Sequence, residues 1–199
     1  AEFSTECFFP ELLNLDLSMN RLVELPPITS FAPKLSSLNC AYNFIVGLTS
    51  IPTAIKSIDI SHNCVELISF DGLENLTNLD ISFNKIKILP QLPESIEHFN
   101  AEFNLIEQSE SCQQLTKLNS LQINSNRLTE IPDFRSSTFG IFIMKNNFLK
   151  GINVEHLCDS IKRIDLTGNE IEVLPEALFD LPRVQVLNLS FNKIKEIPP

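Results

Sequence analysis

The stretch Leu76 to Pro90, LTNLDISFNKIKILP, decides the fold. Leu79-Asp80-Ile81 alternates with period two, as a short half-buried strand does. The apolar residues around it (Leu76, Ile86 and Leu89) do not alternate, so the chain turns away as soon as the strand ends. Asn84 falls at that exit. A side-chain amide there can bond the backbone groups that the bend leaves unpaired.

The pattern recurs along the chain. Asn20, Asn43, Asn63, Asn84, Asn104, Asn126, Asn147, Asn169 and Asn192 follow one another at intervals of 20 to 23 residues. Eight, five and three residues before each one the side chain is apolar, as at Leu35, Leu38 and Cys40 or at Phe139, Phe142 and Met144. Two residues after each comes another, from Leu22 to Ile194. These nine copies of L-x-x-L-x-L-x-x-N-x-L, from Leu12 to Pro199, resemble the leucine-rich repeat family. The resemblance implies an α/β horseshoe solenoid of about nine repeats, with a parallel concave β-sheet and irregular or short-helical convex arms. An unbroken period argues for one domain over residues 12–199, in which each repeat contacts only its neighbours.

Residues 1–11 precede the pattern as a lead-in. The first three resemble a cloning remnant, and Phe8 and Phe9 are expected to cover the first repeat. The chain stops at Ile197-Pro198-Pro199 without a polar cap, so the domain is expected to be truncated at that end. In the eighth repeat, Pro175 to Pro182 encloses helix-forming residues and predicts a short convex helix. Leu89 to Ile96, LPQLPESI, carries too much proline for a helix and should run extended. It is similar to the short L-P-x-L-P arm of bacterial effector repeats.

With 43% hydrophobic residues the chain can fill a continuous core, and no apolar run reaches the length of a membrane span. A net charge of −10 disfavours nonspecific binding to nucleic acid and points to a basic or mixed apolar protein partner. The five cysteines show no C-x-x-C and no paired framework. Cys40 holds a core position, and Cys64 follows its asparagine, which suits a reducing compartment. The sequons at Asn75 and Asn188 do not outweigh this, since the second lies on a predicted strand. A cytoplasmic protein is expected.

No catalytic constellation is present in the sequence. Five glycines form neither a phosphate loop nor a dinucleotide fingerprint, and His62, His98 and His156 lack ligand spacing to cysteine or carboxylate. No cofactor or metal is expected. The fold acts through its surface.

That surface follows from strand geometry. Residues six, four and two before each asparagine point away from the core and form ladders about 4.8 Å apart. The central ladder includes Asp59 and Asp80, which either attract a basic partner or are a feature of the repeat with no specific role. Glu102 adds to the acidic N-terminal half. Tyr42, His62, Phe83 and Phe103 occupy the position just before the asparagine in four consecutive repeats. They form either a continuous aromatic rim or packing within the turns. In the seventh repeat Ile141 and Ile143 stand where most repeats are polar, with Lys145 and Arg163 on the same face. They are expected to be a partner contact, the other reading being a local distortion. By the resemblance, the chain is a non-catalytic protein-interaction module, a scaffold or signalling domain, binding on its concave face. The alternatives are the substrate-targeting region of a larger enzyme (phosphatase, GTPase, kinase or ubiquitin ligase) and a receptor ectodomain.

Overall fold

The computed structural model describes residues 8–109 and 112–198. Most of the expected lead-in, with Cys7, lies outside the described residues, as do 110–111 and Pro199. Phe8 and Phe9 are described and remain more than half exposed, so they do not seal the first repeat.

Nine short strands stand where the repeat pattern places them: Asn14–Asp16, Ser37–Asn39, Ser57–Asp59, Asn78–Asp80, His98–Asn100, Ser120–Gln122, Ile141–Ile143, Arg163–Asp165 and Val186–Asn188. Pairing is parallel and keeps equivalent residues abreast, as at Ile58↔Leu79 and Asp59↔Asp80. The chain is a solenoid, and its core is the stack of residues eight, five and three before each asparagine. In the middle repeats these are fully buried, whereas Leu12, Leu15 and Leu17 at one end and Val184, Leu187 and Leu189 at the other are only partly so.

The asparagines make the spine. Asn84 Nδ2 donates to the carbonyls of Ile81 and Ser82 in its own turn and of Ile60 in the preceding repeat, at 3.0–3.1 Å. Its Oδ1 accepts from Val65 N–H at 2.9 Å. One side chain thus satisfies the bend in two repeats at once, which is why the period tolerates so little drift.

The concave sheet is not continuous. It divides into six strands and three, with the seam between Ser120–Gln122 and Ile141–Ile143. At the seam the side chain of Asn124 accepts from Lys145 N–H at 2.7 Å, and Ser125 N–H donates to Lys145 O at 2.9 Å. Beneath it the buried rings of Phe134, Phe139 and Phe142 lie 5.8–6.2 Å apart. Three buried rings meet in this one layer, and the bulk falls where the strand pairing lapses.

The convex arms are short. An α-helix spans Ile28–Phe31, and 3₁₀ turns span Val154–His156 and Glu176–Leu178. The helix expected between Pro175 and Pro182 is therefore a single 3₁₀ turn opened by Pro175. The proline-rich fourth arm forms no helix: Ile88–Leu89 pairs with Gln108–Ser109 in a small convex sheet, and the arm closes in a turn where Ile96 N–H donates to Pro93 O at 3.2 Å. Among the described residues no helix is long and apolar enough to cross a membrane.

Candidate functional site

The residue before each spine asparagine has positive φ. Met19, Tyr42, His62, Phe83, Phe103, Ser125, Asn146 and Phe191 lie between 52° and 56°, and Gly168 at 73°. Non-glycine residues rarely adopt this conformation. Here the N–H groups of Tyr42, His62, Phe83 and Phe103 donate to the next repeat, at 2.9–3.1 Å, and fix the turn. Repetition of one backbone geometry brings the side chains into register. Tyr42 and His62 stack with centroids 4.0 Å apart, His62 and Phe83 at 4.0 Å, and Phe83 and Phe103 at 4.4 Å, all within 14° of parallel. The rings are not folded into the turns: Tyr42, Phe83 and Phe103 keep 40–50% of their surface exposed.

A neighbouring apolar flank escaped the sequence reading. Val23, Phe44, Val46 and Leu67 are all more than half exposed, on the stretch leading away from the asparagine turns. Its signal was available one and three residues after each asparagine: apolar at Val23, Phe44 and Val46 in the first two repeats, with Arg21 the exception, and mostly charged later. In the later repeats those charges pair from repeat to repeat, Arg127 with Glu107 at 3.1 Å and Lys193 with Glu170 at 3.0 Å.

The central ladder has a local purpose. Asp59 Oδ1 accepts from Ser61 N–H, and Asp80 Oδ1 from both the N–H and the hydroxyl of Ser82. Asp16, Asn39, Asn100, Asp165 and Asn188 each bond the backbone two residues on in the same way. Asp59 and Asp80 are abreast in adjacent strands, and Asp80 Oδ2 takes a bond from Asn100 at 2.9 Å. Each carboxylate thus has one oxygen committed to its turn. Glu102 accepts a hydrogen bond from Asn124.

Beyond the seam a different cluster forms. Ile141 lies abreast of Arg163 and Ile143 abreast of Asp165. Ile141 is 57% exposed, whereas Ile143 is half-buried. Asp165 is fully buried, with Oδ2 3.0 Å from Lys145 Nζ and 3.5 Å from Arg163 Nη2. Burial pushes its carboxyl up, but hydrogen bonds from Thr167 and Lys145 outweigh that and hold it below the usual carboxylate range. The basic stretch expected from Lys145 and Arg163 is therefore partly neutralised from within. Asp165 and Asn124 are the partners that the sequence did not mark.

The remaining reactive side chains are packed or dispersed. Burial, with Asp59 and Asp16 nearby, pushes the Cys40 thiol up to about 12, so it is no nucleophile. His62 sits in the ring stack, His98 is exposed on its strand, and His156 Nδ1 lies 2.7 Å from Ile131 O.

Comparison with known proteins places these features in context. Residues 141–199 and 75–99 match two family models described as leucine rich repeat. The human leucine-rich repeats and immunoglobulin-like domains protein 3 is 29% identical over 92% of this chain and 16% of its own length. Mouse opticin is 27% identical over 86% of this chain and 57% of its own. Among solved structures, the leucine-rich effector YopM of Yersinia pestis superposes with a TM-score of 0.76 at 25% identity, over 90% of this chain and 49% of that one. The chain thus spans less than two thirds of each of these relatives.

Proposed function

This chain belongs to the leucine-rich repeat family, and on that premise we propose that it is a non-catalytic module that binds another protein on its concave face and rim. The observation that carries this reading is the exposed stack of Tyr42, His62, Phe83 and Phe103 on a rigid frame. Aromatic side chains concentrate binding energy because they bury much area at little entropic cost. A preformed rim adds that its holder loses almost no backbone freedom on binding. Asp59, Asp80 and Glu102 beside it favour a partner that carries basic as well as apolar side chains. Ile141 and Ile143, with Lys145 and Arg163, serve as a second, smaller contact beyond the seam.

We place the protein in the cytoplasm. Cys64 is half-exposed and Cys40 and Cys158 are buried, and none of the three forms a disulfide. Thiol titration of the unfolded chain without reductant should find these three reactive. A bridge involving any of them contradicts a cytoplasmic site.

The binding reading is tested with two variants in quantitative capture experiments. Tyr42→Ser with Phe83→Ser removes rim area, and Ile141→Lys with Ile143→Glu removes the second contact. A partner held by wild type should be lost from the first, with circular dichroism unchanged, and weakened by the second. Retention by both variants overturns the assignment of the binding face.

A further inference from the structure

We infer that the open end of the ring stack, over Ser125, is a slot for one arginine side chain of the partner, an inference that rests on the protein-binding reading above. The stack runs from Tyr42 to Phe103 with 4.0–4.4 Å between centroids and then stops. Ser125 holds the next place with φ 54°, against 52° at Phe103, so the backbone continues and only the ring is missing. The place after that belongs to Asn146, whose side chain leans towards Gly168: a Cβ at Gly168 would collide with Asn146 Oδ1. Glycine at 168 therefore lets Asn146 turn away from Phe103. At ordinary strand spacing, positions two repeats apart are roughly 9.6 Å apart. A planar group needs about 3.5 Å of clearance on either side. The gap takes one such group, and Phe103 offers it a ring face.

Charge selects the group. Glu102, next to Phe103, is half-buried, bonded to the Asn124 amide, and forms no ion pair among the described residues. Lys145, two repeats on, is turned to Asp165 at 3.0 Å and does not answer it. A guanidinium stacks flat on an aromatic face while its edge donates to a carboxylate, which a lysine ammonium cannot do. A second aromatic ring would use the face and leave Glu102 without a counter-charge.

The probe is N-acetyl-argininamide, titrated into the protein by NMR beside N-acetyl-lysinamide. The arginine compound should give saturable shifts at the Ser125 and Asn146 amides and the Phe103 ring, with affinity about threefold above the lysine compound. Glu102→Gln should remove most of that preference. Ser125→Phe should abolish binding by completing the stack, and its fold should hold because Phe83, Phe103 and Phe191 take φ 52–56° at this position. Phe103→Leu removes the ring face instead and should weaken binding about threefold. Equal affinity for the two compounds, or arginine binding that survives both Ser125→Phe and Phe103→Leu, overturns the slot. The titration needs no partner, so its failure leaves protein capture by the rim standing, and loss of capture leaves the slot to be judged on the titration.

Discussion

Repeats two to five and repeats seven to nine use one backbone frame in different ways. In the first region the outward side chains before each asparagine are rings that stack on one another and stay exposed. In the second, a carboxylate on the central ladder is buried beneath Lys145 and Arg163. The flanks differ likewise: apolar and open at Phe44 and Val46, cross-linked by ion pairs at Lys193–Glu170 and Lys195–Glu172. The spine dictates only where side chains stand, not how they are used. One region has its chemistry turned outward, and the other has already satisfied much of its own. The seam between strands Ser120–Gln122 and Ile141–Ile143 separates them.

The comparison depends first on the spine being common to both. Asn84→Ala strands Val65 N–H and the carbonyl groups of Ile60 and Ile81, so it should cost about 3 kcal/mol or more in chemical denaturation. Asn20→Ala, exposed at the first repeat and, among the described residues, bonded only within its own turn, should cost about 1 kcal/mol or less. Equal costs would mean that the cross-repeat bonds contribute nothing.

The charge cluster comes next. Asp165→Ala should cost about 2 kcal/mol, below the value for a fully buried pair because both cations remain partly exposed. Since the folded carboxyl titrates below its ordinary value of 3.8, its stabilisation is complete above that pH and fades as pH falls through the folded value. Asp165→Asn should therefore flatten the acid limb of the stability profile. An unchanged limb would remove Asp165 from the account of this region.

Smaller effects are expected on the two outward surfaces. Phe83→Ala, which breaks the stack at its middle, should cost about 1 kcal/mol. Ile141→Lys with Ile143→Glu should stay within roughly 1 kcal/mol of wild type in thermal unfolding. Collapse of that variant would make the isoleucines part of the seam's packing instead of a contact.

Much of this was legible because period and spacing are local properties. Nine asparagines in register placed all nine concave strands, and the alternation around them assigned the inner and outer faces. Alternation also puts the ladder at Asp59 and Asp80 on the outward side, but it does not give the bond to the backbone two residues on, although Asp-x-Ser recurs at Asp16, Asp59 and Asp80. Other features depend on side chains from separate repeats meeting. Asp165 meets Lys145 of the preceding repeat as well as Arg163 of its own strand, and at the seam Phe134 of one repeat's arm packs against Phe139 and Phe142 of the next. Neither has a signature in any single repeat.

The ring stack is tested most directly through His62, which lies 4.0 Å from a ring on both sides, against His98, exposed on its strand. If the rim is preformed in solution, the His62 imidazole proton resonances stand upfield of those of His98 and move downfield in Phe83→Ala. If the two histidines resonate together and Phe83→Ala changes neither, the rings do not stack in the free protein, and the preformed rim is contradicted.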